Sequence, residues 1–413
     1  MSKSLMMRKN PSIRRILRTQ RLCKRKRNKT DMSTKFRTIA HAGVFLLIPA
    51  FFISLQAVET VSDFLIHREP GRLITEEKPV WLMPSTEPTI TLAAAGDLMM
   101  SSWIIDVVNE QGVDFPFDST RDFIETADVA IANLEAPLTA QGERFADKKY
   151  TFKVPPHFVT GIANAGFDVV TMANNHIVDF GCEGIVNTFI ALQEAGIYFC
   201  GAGDNREQAC APTIMDVNGM KIAFIGFSMT YPEEFWATTT RCGTCYPTEE
   251  VLYQSITEAE RMADLTVVSF HWGAEKYSSP RAYQMAYGRL AIDFGADLVL
   301  GHHPHVLQGL EIYKGKLIAY SLGNYVFASY SNSATTSMIL RVKFDSTGLL
   351  LGRIIPINVY NAEVNFQPVV LQGQKKQGVI QDLNRFSKPL NNNKTIIDQD
   401  GYILPSKALS SMN

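Results

Sequence analysis

Short apolar runs alternate with amphipathic stretches through the middle of the chain. Ile90–Ala95, Val129–Ala132, Val169–Met172, Lys221–Phe227, Leu265–Phe270 and Leu298–Leu300 have the length and apolar content of buried strands. Between them, Thr120–Ala127, Pro156–Ala165, Gly184–Ala195, Glu249–Met262 and Gln284–Phe294 carry apolar residues at helical spacing. Such alternation predicts an α/β layered domain. After Tyr320 the pattern turns to strands, at Met338–Phe344, Leu350–Ile355 and Ile357–Tyr360. No internal repeat is visible. Beyond Gln372 the text is rich in Gln, Asn, Lys and Ser, which predicts a disordered or loosely attached tail.

The amino-terminal part follows another rule. Ile39–Val58 is a stretch of 20 residues without Lys, Arg, Asp or Glu. A helix of that length covers about 30 Å, one hydrocarbon thickness, and tolerates a proline such as Pro49. The expectation is one transmembrane anchor. A cleaved signal peptide is the competing reading, but its basic region would be unusually long and no small-residue cleavage site stands near Gln56-Ala57-Val58. Glu59–Pro88, with Pro70, Gly71, Pro79 and Pro84, reads as a linker. The resulting division is a basic cytoplasmic tail (1–38), an anchor (39–58), a linker (59–88), a domain (89–365) and a C-terminal tail (366–413).

Charge sharpens this picture. The 413 residues carry a net charge of -1, yet residues 1–37 hold 14 Lys/Arg against the single acid Asp31. Of the totals of 40 basic and 41 acidic residues, 26 and 40 therefore fall on the remaining 376 residues. A positive tail stays in the cytoplasm against anionic headgroups, which sends the acidic body to the other side of a cell membrane as a single-pass, extracytoplasmic domain. An acidic body argues against nucleic-acid binding, which competes only as a reading of the tail. Six cysteines are too few for a disulfide scaffold. Cys242 and Cys245, two residues apart, favour a local disulfide or two free thiols. Five cysteines lie outside the tail, so at least one cannot pair within the body.

Metal-ligand types recur just past the apolar runs: Asp97, Glu135, Asn175 with His176, His271, and His303 with His305. Pro304 fixes the backbone between the last two. In α/β folds, ligands collect at the carboxyl ends of strands. A mixed set of carboxylate, amide and imidazole suits Mn, Fe or Zn. One or two ions fit, and a carboxylate between two metals about 3.5–4 Å apart would make a hydrolytic pair. Each residue alone has a bland reading: Asp97 as a helix cap, Asn174 and Asn175 as a turn, His271 as packing beside Trp272, the 302–305 segment as a polar loop. The five-fold recurrence favours the metal. Asp179, Glu275 and Asn324 read as supports for ligands. The Lys148–Lys153 stretch reads as a solvated loop or an anion contact, and Arg281 as a candidate anion clamp.

These residues carry a resemblance. Gly96-Asp97-Leu98-Met99, Asn133-Leu134-Glu135, Asn174-Asn175-His176, Asp179-Phe180-Gly181, His271-Trp272-Gly273, Gly301-His302-His303-Pro304-His305 and Ser321-Leu322-Gly323-Asn324 resemble the CapA/PgsA family of capsule or poly-γ-glutamate synthesis proteins, within the calcineurin-like metallophosphatase superfamily. The resemblance spans about Thr89 to Tyr360. It implies a four-layer αββα metallophosphoesterase-like sandwich outside the cytoplasm. It implies Asp97 as the Asp of a first D-x-H motif, whose histidine is replaced by Met99, and Glu135 in the place of a bridging Asp. It also implies Asn175 as ligand, His176 as the acid that protonates a leaving group, and His271, His303 and His305 as ligands, with His302 as a rival by one register step. Hydrolysis of a phosphoester, amide or acyl bond is one expectation. Its rival is a non-catalytic scaffold for an anionic polymer or for capsule or polyglutamate synthase subunits.

Overall fold

The computed structural model describes residues 89–346 and 348–403. Two sheets carry the fold. In the larger, β1 (Ile90–Met99), β2 (Val129–Leu134), β3 (Val169–Thr171) and β4 (Tyr198–Cys200) run parallel. The hairpin β14 (Thr336–Asp345) and β15 (Gly348–Asn358) extends it antiparallel beyond β1. The short strands β13 (Asn324–Phe327), β16 (Val369–Val370) and β17 (Tyr402–Ile403) complete its nine strands, β13 on β1 and the other two on β15.

The second sheet has six strands, in the order β11 (Leu310–Tyr313), β12 (Lys316–Ala319), β10 (Leu298–His302), β9 (Leu265–His271), β7 (Met220–Ser228) and β6 (Thr213–Val217). Its four central strands are parallel and both edges antiparallel. A small ribbon, β5 (Ala202–Gly203) with β8 (Gly243–Thr244), stands apart.

The period of two along each strand sorts side chains into layers. Leu92, Ala94 and Ile131 of the first sheet share one apolar cluster with Phe224, Val267 and Leu300 of the second. Their neighbours Ala93, Ala130 and Ala132 face a second cluster with Ile104, Ile124, Ile162 and Ile185 from helical segments. Ile225, Val268 and Val299 face a third with Leu252, Ile256 and Ala291 of the helices Glu249–Glu260 and Ala282–Asp293. The layers therefore run helix, sheet, sheet, helix. Alanines on the outer face of the first sheet let its helices approach closely.

Three expectations change. Leu350–Ile355 and Ile357–Tyr360 are one strand, β15, running through Pro356. Its carbonyl accepts from the Leu371 N–H at 2.9 Å, so that bond needs no donor from the ring. Segment 366–403 is not a loose tail. Gly373–Ser387 is a helix whose Val379, Ile380 and Leu383 join the cluster between the sheets. The polar composition belongs to its exposed face. Finally, Cys242 and Cys245 do not pair with each other and are not free: Cys182 bonds Cys242, and Cys210 bonds Cys245. Buried Cys200 is the free thiol among the described residues. No helix among those residues is long and apolar enough to cross a membrane, and the expected anchor at 39–58 lies outside them.

Candidate metal centre

The carboxyl ends of β1, β2, β3, β9 and β10 bring the polar residues together. β1 reaches the site through a close approach: a Cβ on Gly96 would lie 1.9 Å from the Gly323 carbonyl oxygen, so only glycine fits. Asp97 follows, fully buried, with its N–H on that same carbonyl at 3.0 Å. One Asp97 oxygen meets Asn133 Nδ2 at 2.9 Å and His302 Nδ1 at 3.1 Å. The other meets His305 Nδ1 at 3.1 Å.

Glu135, also fully buried, accepts from Asn133 Nδ2 at 3.1 Å with Oε2. Its Oε1 has no hydrogen-bond partner, and lies 3.7 Å from both His271 Nε2 and His305 Nε2. His271 Nε2 is 2.9 Å from Asn175 Oδ1. The His303 and His271 rings are 4.8 Å apart, and His303 Nδ1 is buried without a partner. His303 and His305 sit at φ 94 and 58, a conformation uncommon for any residue but glycine. The turn around Pro304 holds both there.

Two ligand sets result. Glu135, His271 and His303 offer donor atoms within 4.8 Å of one another, and so do Asp97, Glu135 and His305. Glu135 belongs to both. Orphaned buried donors on Glu135 and His303, in a set of oxygens and imidazole nitrogens, are what a borderline divalent cation satisfies. Burial raises the Asp97 carboxyl, but hydrogen bonds from His302 and His305 outweigh it and hold the group well below its usual range. Burial and the neighbouring Asp97 charge push Glu135 well up. Burial drives His271 well down and His303 down to about 3, so both imidazoles are neutral with lone pairs to give.

His176 stands beside this cluster. Its Nδ1 is 2.8 Å from Asp179 Oδ2 and 2.8 Å from Lys148 Nζ. Lys148 also reaches Asp179 Oδ1 at 2.6 Å and donates to the Asn175 carbonyl. Burial lowers both Lys148 and His176. Lys148 is thus tied into the site rather than solvated, unlike Lys149, which covers Tyr150. Arg281 lies over the Tyr277 ring and caps the helix Ala282–Asp293. Asn324 Oδ1 meets His305 Nδ1 at 2.9 Å.

Sequence reasoning gave His302 only as a rival ligand and assigned Asn133 no role. His302 is not a substitute for a neighbour but a second partner of Asp97, with its Nε2 buried and unpartnered. Asn133 is the hub: its amide contacts Asp97 and Glu135, stands 3.4 Å from His271 Nδ1, and its Oδ1 accepts from Asn174 at 3.0 Å. Its spacing of two from Glu135 was the available signal, since alternate strand residues share a face.

A profile of the bacterial capsule synthesis protein family PGA_cap matches residues 91–329. The chain is 32% identical over 277 residues to the capsule biosynthesis protein CapA of Bacillus anthracis, covering 65% of this chain and 67% of that one. It is 29% identical over 361 residues to the PGA biosynthesis protein CapA of Bacillus subtilis (strain 168), covering 87% and 90%. Among solved structures, a 5'-nucleotidase precursor from Thermus thermophilus aligns at a TM-score of 0.41 and 14% identity, over 68% of this chain and 54% of that one. The site is accordingly read from this chain's own residues. The chain belongs to the bacterial capsule synthesis protein family PGA_cap.

Proposed function

We propose that this chain is a membrane-anchored, metal-dependent hydrolase in capsule or poly-γ-glutamate synthesis or export, cleaving a phosphoester or an amide or acyl bond. The carrying observation is the sharing of Glu135 between two three-residue ligand sets at one rim of two sheets. Asp97, Glu135 and His305 would hold one cation; Glu135, His271 and His303, with Asn175 beside them, would hold another. A bound divalent cation supplies polarisation of the scissile group and an activated water. When Nδ1 of the neutral ring accepts from Lys148 Nζ, the imidazole proton is on Nε2, where it can be donated to a leaving group. Lys148 orients that ring and compensates the buried Asp179 charge. Two disulfides support an oxidising, extracytoplasmic compartment for the domain. An anionic polymer and membrane synthase subunits are the partners this reading implies.

The test loads the full chain with Mn, Fe or Zn, then measures bound metal and turnover of a generic phosphodiester and of a γ-glutamyl amide. His176→Ala should lower turnover by roughly 10²–10⁴-fold with metal content unchanged. One observation favours the scaffold reading: Met99 stands where the resemblance expects a histidine ligand. If the loaded chain turns over neither substrate, and Asp97→Ala or His303→Ala leaves polymer production intact in a folded, membrane-bound protein, the scaffold reading wins.

A further inference from the structure

At the opposite end of β1 from the metal centre lies a cleft of about 390 Å³ lined by Thr91, Arg341, Lys343, Leu351, Arg353 and Tyr402, with Asp122 and the helix around Phe123 on one side. Six residues of strand separate Thr91 from Asp97, roughly 20 Å. Arg341 and Arg353 are directly opposite each other on β14 and β15, and Lys343 is two residues from Arg341 on the same face. Like charges placed directly across an antiparallel pair repel. No ion pair offsets them among the described residues. Arg341 is fixed instead by neutral acceptors: the Phe123 carbonyl at 3.3 Å and the Thr126 Oγ1 and carbonyl at 2.7 and 3.1 Å. Arg353 lies over the Tyr402 ring at 5.2 Å. Burial, with Arg353 nearby, presses the Arg341 guanidinium down against a smaller opposing pull from the Asp128 charge. Three cations are thus held around one cleft in a body whose residues beyond 37 hold 26 Lys/Arg and 40 Asp/Glu.

We propose that this cleft binds the phosphate of an anionic phospholipid headgroup and docks the domain on the membrane surface with its metal centre turned away. The inference rests on the membrane-anchor reading above. An acidic body is repelled as a whole by an anionic leaflet, and a patch of three cations is a face by which it can approach one. Thr91, in the cleft, is also three residues past the end of the linker at Pro88, so this is the end of the domain to which the anchor is joined. Half-buried Leu351 adds an apolar contact beside the charges.

The experiment places the full chain in nanodiscs of phosphatidylcholine alone or with phosphatidylglycerol, and reads the rate at which an amine-reactive reagent labels Lys343. Protection should appear in the phosphatidylglycerol discs and vanish in Arg353→Gln. Arg353 is exposed, so its replacement leaves the fold intact even if an Arg341→Gln variant does not fold. The basic tail is the same in both proteins and cancels. Equal labelling in the two disc types overturns the proposal. Protection in phosphatidylcholine discs by added inorganic phosphate, with none from phosphatidylglycerol, also overturns it in favour of a free anion. A chain that fails to enter the discs sinks the anchor reading instead. The same chain mixed with phosphatidylglycerol vesicles then decides the cleft: Lys343→Gln and Arg353→Gln should each weaken binding by roughly fivefold, and unchanged binding overturns it.

Discussion

The oxygen-rich half of the metal centre and its imidazole half come from different sheets. In the larger sheet Asp97 lies near the end of β1, Glu135 directly after β2 and Asn175 four residues past β3, all in ordinary backbone conformations. β9 and β10 of the smaller sheet end in His271 and the 302–305 segment, where His303 and His305 are forced to positive φ. A strand that simply continues can deliver one carboxylate or amide. Delivering three imidazoles within four residues makes the chain double back, and each such position costs about 1–3 kcal/mol. The surrounding packing must supply that cost, and a bound cation would repay it. The two halves meet at Asp97 and Glu135, whose carboxylates each face histidines from the other sheet.

The largest break in this partition is Glu135→Ala, which removes the one ligand common to both sets. Bound cation measured by elemental analysis should fall to background. Retention of a full complement would show that the halves bind independently. Next come Asp97→Ala and His271→Ala as a pair. Each should remove one cation and leave the other. They differ in stability: Asp97 accepts from His302, His305 and Asn133, so its loss should cost about 1–3 kcal/mol for each buried donor left unsatisfied. His271→Ala should cost clearly less in a denaturant titration. Equal costs would mean that Asp97 does not hold the imidazole half in place. Smaller again is Asn133→Ala, which touches both halves without being a ligand. Metal affinity should drop by roughly 10–100-fold with stoichiometry preserved; an unchanged affinity would demote Asn133 to packing.

Most of the oxygen half was legible in the text, because each of its residues directly follows an apolar run of a parallel strand. The imidazole half was legible as residues but not as geometry. Nothing in the 302–305 segment says which ring meets Asp97, because positive φ at His303 and His305 is imposed by the surrounding fold. The disulfides were misread because spacing favoured a local bond, whereas the Cys242–Cys245 segment reaches two other elements: Cys182 in the helix Gly181–Ala195 and Cys210 in the helix Arg206–Cys210. The helix Gly373–Ser387 was misread from composition. Val379, Ile380 and Leu383 carry helical spacing, and that periodicity outweighs the polar residues around them.

The smallest expected effect on metal binding tests whether the partition is fixed by the backbone. Met99→His restores the D-x-H spacing and would place an imidazole in the oxygen half. In a regular strand, residues 97 and 99 share a face; the pairing of β1 with β13 sets this step of two in β1 against a step of three in β13, Asp97 opposite Asn324 and Met99 opposite Phe327. Met99 nonetheless packs into the outer apolar cluster with Ile104 and Tyr325, 2% exposed. A histidine there would be buried among apolar side chains, at a cost of about 1–3 kcal/mol for an unsatisfied polar group. Metal titration of Met99→His should give the wild-type affinity while thermal unfolding shows the loss. A gain in affinity would mean that the end of β1 can turn and bring position 99 inward. The division of ligands between the sheets would then be a choice of side chains, open to exchange, rather than a consequence of the backbone path.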